Sequence, residues 1–158
     1  MSAAADPVVA IVGIKALSRD INKLTDDVRS PLFKAIQAAG RAAADPVAAA
    51  TRSALPTSTR SNVPAAGQLA ASVRTSGTRT GAAVRMGSAR VPWAGWVEFG
   101  GTRHRPFESS RPFVKDGRYL FPAARSLAER SEQLYSSALS KVFATAGVWT
   151  NPGEQVHD

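Results

Sequence analysis

Cysteine is absent from this chain of 158 residues, which removes disulfides, thiolate catalysis and cysteine-based zinc sites together. No stretch approaches the run of about 18 apolar residues needed to cross a bilayer. The start, Met1 to Asp6, has no basic region ahead of an apolar one, so no signal peptide is expected. These features predict a protein made and kept in the cytoplasm. Aromatic residues make up only 7% of the chain, and much of its 44% hydrophobic share is alanine. Burial stabilises by roughly 25 cal/mol per Å² of apolar surface, so an alanine-rich core is thin. Further stability is expected from packing against identical neighbours. The length fits one domain.

Acidic residues are missing from a long central stretch. No Asp or Glu falls between Asp45 and Glu98, whereas Arg52, Arg60, Arg74, Arg79, Arg85 and Arg90 all do, and the net charge is +8. Such a surface suits an anionic partner, either nucleic acid or an acidic protein face. It equally suits a solvated surface that keeps the protein soluble, and no recognition helix or RNA-module signature accompanies the charge.

Reactive groups are also sparse. The two histidines are His104 and His157. His104 has Glu98, Glu108 and Asp116 nearby in sequence, but no second histidine gives a metal-ligand spacing, so a surface role is expected for it. No serine sits in a Gly-x-Ser-x-Gly elbow, and the glycines form neither a dinucleotide fingerprint nor a phosphate loop. Glu98 beside Phe99 has the setting of a buried base with raised pKa, but a structural carboxylate paired with a loop arginine is the expected role. No enzyme activity, cofactor or metal is predicted.

What is present is periodicity. Residues 1–10 read as a loose arm, with a short strand at Val8–Val12. The series Ile14, Leu17, Ile21, Leu24 has helical spacing. Ser30-Pro31 reads as a helix cap followed by proline at the first helical position. From there Leu32, Ile36, Ala39, Ala43, Val47, Ala50 and Ala54 form a long apolar stripe. Asp45-Pro46 should kink or restart that helix, which should end before Pro56. Residues 56–68 form a loop rich in turn formers. Leu69, Ala71 and Val73 then alternate with Ala70, Ser72 and Arg74. Beyond a polar tip at Ser76 to Gly81, Ala82, Val84 and Met86 alternate with Ala83, Arg85 and Gly87. This is a hairpin with its apolar side on the helices and its arginines outward.

The segment from Val91 to Gly101 should supply both core and contact surface. Residues 100–117 return to loop character, Arg118–Phe121 is short and extended, and Pro122 opens a C-terminal helix that Gly147 stops. The predicted class is α+β, an antiparallel sheet (the hairpin plus further strands) packed on a long N-terminal helix and a C-terminal helix. The predicted domain covers 11–147, with a tail at 148–158.

Three local patterns carry information in combination. The first is Ala54-Leu55-Pro56 followed by Gly67-Gln68-Leu69-Ala70-Ala71-Ser72-Val73. The second is Trp93-Ala94-Gly95-Trp96-Val97-Glu98-Phe99-Gly100-Gly101-Thr102. The third is Arg111-Pro112-Phe113 and then Tyr119-Leu120-Phe121-Pro122-Ala123-Ala124. With Gly13 to Leu17 ahead of them, their order resembles the tail-completion (neck, or head–tail joining) proteins of lambda-like long-tailed bacteriophages. The resemblance spans about residues 10–145. Departures are Leu55-Pro56 in place of Ala-Pro, a longer loop to Gly67, a tryptophan where tyrosine is common, and Gly101 inserted before Thr102.

The resemblance implies a non-enzymatic structural virion protein, assembled in the host cytoplasm. It would form a homo-oligomeric ring, with sixfold symmetry expected, between the tail tube protein and the head connector or stopper, with genomic DNA passing transiently and no membrane involved. In that setting Trp93, Trp96, Phe99 and Phe113 are candidate aromatic anchors. Arg103, Arg105 and Arg111 are candidates for charge-assisted bonds to acidic groups on an adjacent ring. Burial of the tryptophans against the subunit's own helices remains equally open. The competing reading is a small basic nucleic-acid-binding protein.

Overall fold

The computed structural model describes residue 19 and residues 21–56, 66–79, 81–103 and 109–146, with only the backbone at Arg103 and Ser109. The expected arm at 1–10, the strand at Val8–Val12, Ile14, Leu17, most of the 56–68 loop and the tail at 148–158 lie outside the described residues.

One helix organises the rest. α1 (Asp26–Ala54) runs for 29 residues, about 43 Å at 1.5 Å per residue. Its buried face, Leu32, Phe33, Ile36, Ala39, Gly40, Ala43, Ala44, Val47, Ala48 and Thr51, repeats every three or four residues as an amphipathic helix requires. Two sequence expectations are corrected here. The helix does not start at Ser30-Pro31, because Thr25 holds the N-cap position and Asp26 and Asp27 occupy the first turn, where negative charge suits the helix dipole. Nor does it restart at Pro46, because both Pro31 and Pro46 lie inside continuous helix. Each proline removes one backbone bond. Helical continuation past Pro46 carries Val47, Ala48 and Thr51 into the main core, and that packing outweighs the loss.

After α1, α2 (Ala66–Ser72) precedes β1 (Arg74–Thr78) and β2 (Gly81–Arg85). The helix at α2 overturns the expected strand around Leu69. Alanine satisfies either period, and the residues that are buried, Ala66, Leu69 and Ser72, are three apart. The strand begins only after β-branched Val73. β1 and β2 pair antiparallel, with Arg74 opposite Arg85 and Thr78 opposite Gly81. Both arginines are exposed, as the alternation predicts.

The hairpin lies directly on α1, backbone against backbone. A Cβ on Gly77 would sit 1.9 Å from the Gln37 carbonyl oxygen, and one on Gly40 would sit 3.0 Å from that of Gly81. At the tip, the Arg79 guanidinium covers the Phe33 ring at 4.3 Å, a cation–π contact.

Three more short elements follow: α3 (Ala94–Phe99), then β3 (Gly101–Arg103) and β4 (Ser109–Arg111), which pair antiparallel as a second two-stranded sheet. Residues 100–117 are thus not loop throughout. The chain ends its described part in α4 (Leu120–Ser126) and α5 (Ala128–Thr145). The C-terminal helix therefore begins at Leu120, two residues ahead of Pro122, and is interrupted at Leu127. α5 lies along α1, which is itself covered by β1 and β2. The architecture is mixed, with a long N-terminal helix, an antiparallel hairpin, further short strands and a C-terminal helix.

The core is spread thinly along α1. The main cluster joins Val47, Ala48, Leu69, Val73, Val84, Trp96, Val97 and Leu120. A second cluster gathers Ile21, Leu32, Phe33, Ile36 and Phe143 around the other end. Between them, among the described residues, lie Ala39, Ala43 and Tyr135, with Ala138 and Leu139 packed against them, so the face of α1 at its middle is alanine.

Candidate functional site

The segments that stand out in the sequence meet around one side chain. Glu98 projects from α3 and is only 2% exposed. Its carboxylate accepts hydrogen bonds from four consecutive backbone amides. Oε1 accepts from Arg118 (3.1 Å), Tyr119 (3.3 Å) and Phe121 (3.1 Å). Oε2 accepts from Tyr119 (3.2 Å) and Leu120 (3.1 Å).

These amides are the open N-terminus of α4. A helix leaves its first N–H groups without internal partners; here Leu120 and Phe121 bond to Glu98, Pro122 has no N–H, and Ala123 returns to the Tyr119 carbonyl. One carboxylate from a different helix completes the accounting. A carboxyl side chain offers two acceptor oxygens, which is what this row of amides needs.

Gly117 makes room for it. Its φ is +73°, and a Cβ there would stand 2.2 Å from Glu98 Oε1, so conformation and space both require glycine. Gly100, at φ +83°, closes the other side, where a Cβ would meet the Pro112 carbonyl. The Val114 amide donates to the Phe99 carbonyl at 2.7 Å.

Glu98 is therefore a structural carboxylate, but its expected pairing with an arginine is corrected: its partners are main-chain amides. The Arg118 guanidinium donates instead to the carbonyls of Glu98 and Pro112. Sequence reasoning missed this cap, although a signal exists. No Ser, Thr, Asp or Asn stands immediately ahead of Leu120, so the helix start needs a remote acceptor.

The candidate contact residues are distributed around this knot. Trp96 is buried, and its Nε1 donates to the Gly101 carbonyl at 2.9 Å. The Arg111 guanidinium lies over the Trp96 ring at 5.3 Å and donates to the Val97 carbonyl at 3.2 Å. Phe99 is half-buried and packs against Phe121, ring centroids 5.3 Å apart. Trp93 is half-buried against the main core, and its Nε1 has no hydrogen-bond partner among the described residues. Phe113 is 69% exposed. Arg103 is described only in its backbone, in β3, and Arg105, His104 and Glu108 lie outside the described residues. Thus Trp96, Phe99 and Arg111 are drawn together with Glu98, and Phe113 stands in solvent beside them.

Two further features have chemical content. An open groove of about 710 Å³ runs between α2 and residues 88–91, with Gln68, Ser72, Ser88, Arg74 and Arg90 on its walls. Arg74 and Arg90 are exposed. The second is a small cleft between β2 and α5 that contains Ser131 and Tyr135. Burial pushes the Tyr135 phenol above its ordinary pKa. Among the described residues no group of three His, Asp or Glu is placed to hold a metal ion, and no helix is long and apolar enough to cross a membrane. No family model, curated protein or solved structure matches the chain.

Proposed function

We propose that this chain is a structural subunit of a ring at the head–tail junction of a long-tailed bacteriophage, where it completes or terminates the tail tube and joins it to the head connector. The observation that carries the reading is the exposed Phe113 ring beside the Glu98 knot. The two pattern segments around Trp93–Thr102 and Arg111–Ala124, remote in sequence, are parts of one rigid unit. That gives the combination behind the phage resemblance a physical reason to occur together. Next to the unit, Phe113 is displayed to solvent, as an anchor for a neighbouring subunit would be.

A ring uses two different faces of each subunit in a head-to-tail contact that closes by rotation. The body found here suits that use. Its core thins to alanine at mid-helix, and among the described residues each of its two sheets has two short strands. β4, which carries Arg111, ends two residues before the exposed aromatic. DNA in transit must not be gripped, and many phosphate contacts would grip it; acidic protein groups are the better partners for Arg103, Arg105 and Arg111.

The test is assembly. Purified chain mixed with tail tubes at low salt should form rings visible by electron microscopy, and Ala at Arg103 and Arg105 together should reduce particle yield. A chain that stays monomeric, with unchanged particle yield from the double variant, overturns the reading. Deleting the gene separates the roles: overlong tails mean a terminator, whereas normal tails beside unjoined filled heads mean a connector. The groove flanked by Arg74 and Arg90 favours a second reading, a basic nucleic-acid-binding protein. Its mark is tight duplex binding by the isolated chain, with affinity falling steeply as salt rises.

A further inference from the structure

The central part of the chain carries positive charge with no acid of its own beside it. From residue 46 to residue 97 there is no Asp or Glu. The described part of that stretch forms the end of α1, then α2 and the hairpin. Arg74 opens β1 directly opposite Arg85 at the end of β2, and directly paired side chains share one face of a sheet. The Arg52 guanidinium donates to the Val73 carbonyl at 2.7 Å, one residue before Arg74. Asp45 of α1 does reach the hairpin, but it accepts from the Thr75 hydroxyl at 3.0 Å. Thr75 alternates to the face opposite Arg74.

The groove between α2 and residues 88–91 opens onto this charge. Arg74 and Arg90 stand on its walls and are exposed. Among the described residues neither guanidinium has a hydrogen-bond or ion-pair partner. The backbone around them is fixed. The Ser72 hydroxyl donates to the Leu69 carbonyl at 2.6 Å and accepts from the Gly87 amide at 3.0 Å, tying α2 to the chain just beyond β2. The Val91 amide donates to the Ser88 carbonyl at 2.9 Å, closing a turn with Arg90 at its third position. A backbone already held in place loses less freedom when its side chains bind.

Carboxylate and phosphate both match the guanidinium fork, and the shape of the groove chooses between the polymers that carry them. A duplex is read by an element that projects into its groove, whereas this site is concave. A single nucleic-acid strand is held on aromatic stacking platforms, and no aromatic residue is among the described walls. Much of the remaining wall is short side chains, Ala71, Ser72, Ser88 and Ala89. An extended polypeptide suits such walls, because alternate side chains point towards them. The volume of about 710 Å³ lies within the range of ligand pockets, roughly 300–1,000 Å³.

We propose that this groove docks an extended acidic segment of a partner protein, with the Arg74 and Arg90 guanidiniums each holding a carboxylate. The inference stands whether or not the chain forms a ring, because neither Phe113 nor any residue of the Glu98 knot takes part in it.

The test uses the full chain and a fluorescein-labelled, end-blocked peptide of four Glu-Thr repeats, whose alternation puts every carboxylate on one side when extended. Binding is read by fluorescence anisotropy at low salt. The Gln-Thr counterpart, a thymidylate single strand and a DNA duplex are read in parallel. The acidic peptide should bind best. Arg74→Gln and Arg90→Gln should each weaken it by about three- to tenfold, between the weight of an exposed ion pair and that of a charge-assisted hydrogen bond. Ala71→Trp fills the groove at an exposed position without changing net charge, and should weaken binding by roughly tenfold or more. Arg125→Gln removes an equal charge from α4, away from the groove, and should leave affinity within about twofold. Thermal melts check that each variant is folded.

Failure of the acidic peptide to bind overturns the proposal, as does equal binding of the Gln-Thr peptide. Losses from Arg125→Gln equal to those from the groove arginines, or no effect of Ala71→Trp, assign the binding to net charge and overturn it too. Tighter binding of either nucleic acid through Arg74 and Arg90 overturns it in favour of a phosphate site.

Discussion

Glu98→Gln keeps the shape of the side chain and removes half of its accepting capacity. If the amide oxygen takes the Oε1 position, the NH2 group faces the Leu120 amide across 3.1 Å. The opposite orientation faces it towards the Arg118 and Phe121 amides, also at 3.1 Å, so the first orientation is preferred. One buried donor is then orphaned, at a cost of about 1–3 kcal/mol. The bonds that survive fall from charge-assisted strength, about 1.5–3 kcal/mol, towards the neutral value of about 1. Allowing for non-additivity, the loss is about 3–4 kcal/mol, a large part of the 5–15 kcal/mol typical of a domain. Urea unfolding followed by circular dichroism should show the midpoint falling by roughly 2 M with unchanged slope, for a slope of about 1.5–2 kcal/mol/M. Arg118→Met is the informative companion. It keeps the main-chain amide that bonds to Glu98 and loses only guanidinium contacts to two carbonyls, so about 1 kcal/mol is expected. The reasoning fails if Glu98→Gln lies within about 0.5 kcal/mol of the unaltered protein, the range of an ordinary surface change. It fails equally if Arg118→Met costs as much as Glu98→Gln.

Gly77→Ala should destabilise by about 2–4 kcal/mol, because its Cβ collides with the Gln37 carbonyl and lifts the hairpin from α1. Gly67→Ala, with open space around it in α2, should stabilise by about 0.5–1 kcal/mol; paired thermal melts compare the two. Tyr135 has a raised folded pKa, so its contribution is complete below its unfolded value of 10.0 and is lost as pH climbs through the folded one. Stability measured from pH 9 to 12 should decline by that route, and the corresponding part of the decline should vanish in Tyr135→Phe. Asp27 is held below 3.8 chiefly by the Thr25 side chain; its support is present above 3.8 and lost as pH falls through its folded value. An NMR titration of Thr25→Ala should show the Asp27 midpoint moving back up. Phe113→Ser should leave stability within about 0.5 kcal/mol of the parent and, if the ring reading holds, abolish assembly with tail tubes.

Much of the fold is legible in the sequence where a residue's chemistry permits only one period. The α1 stripe from Leu32 to Val47 and the Val84–Arg85 alternation are of that kind, and each appears where periodicity places it; the last two stripe positions do not, since Ala50 is half-buried and Ala54 exposed while Ala48 and Thr51 are buried. Leu69–Val73 was ambiguous because alanine is compatible with helix and strand, and tertiary burial of Ala66, Leu69 and Ser72 decided it. The proline positions misled for a related reason: a proline's local cost is visible in the sequence, whereas the core contacts that offset it are not. Glu98 was recognisable as a buried carboxylate from its apolar neighbours. Its partners were not, since main-chain amides carry no residue-type signature and the contact bridges 20 to 23 residues.

Glu98, Gly117 and the amides of Arg118–Phe121 require one another: the carboxylate cannot enter unless position 117 is glycine, and among the described residues Glu98 is the acceptor for the Leu120 and Phe121 amides of α4. The Val97–Gly101 and Tyr119–Pro122 segments would therefore occur together in any chain with this local fold, whatever its role. Their joint presence supports shared architecture more strongly than shared function. Residues the knot does not need are the ones that discriminate function. Phe113 is the clearest of these, because 69% of it is exposed and no described contact of the knot depends on its ring. Phe113→Ser therefore separates a contact role from a folding role: stability that is unchanged while assembly is lost assigns the ring to contact, and stability that falls assigns it to the fold.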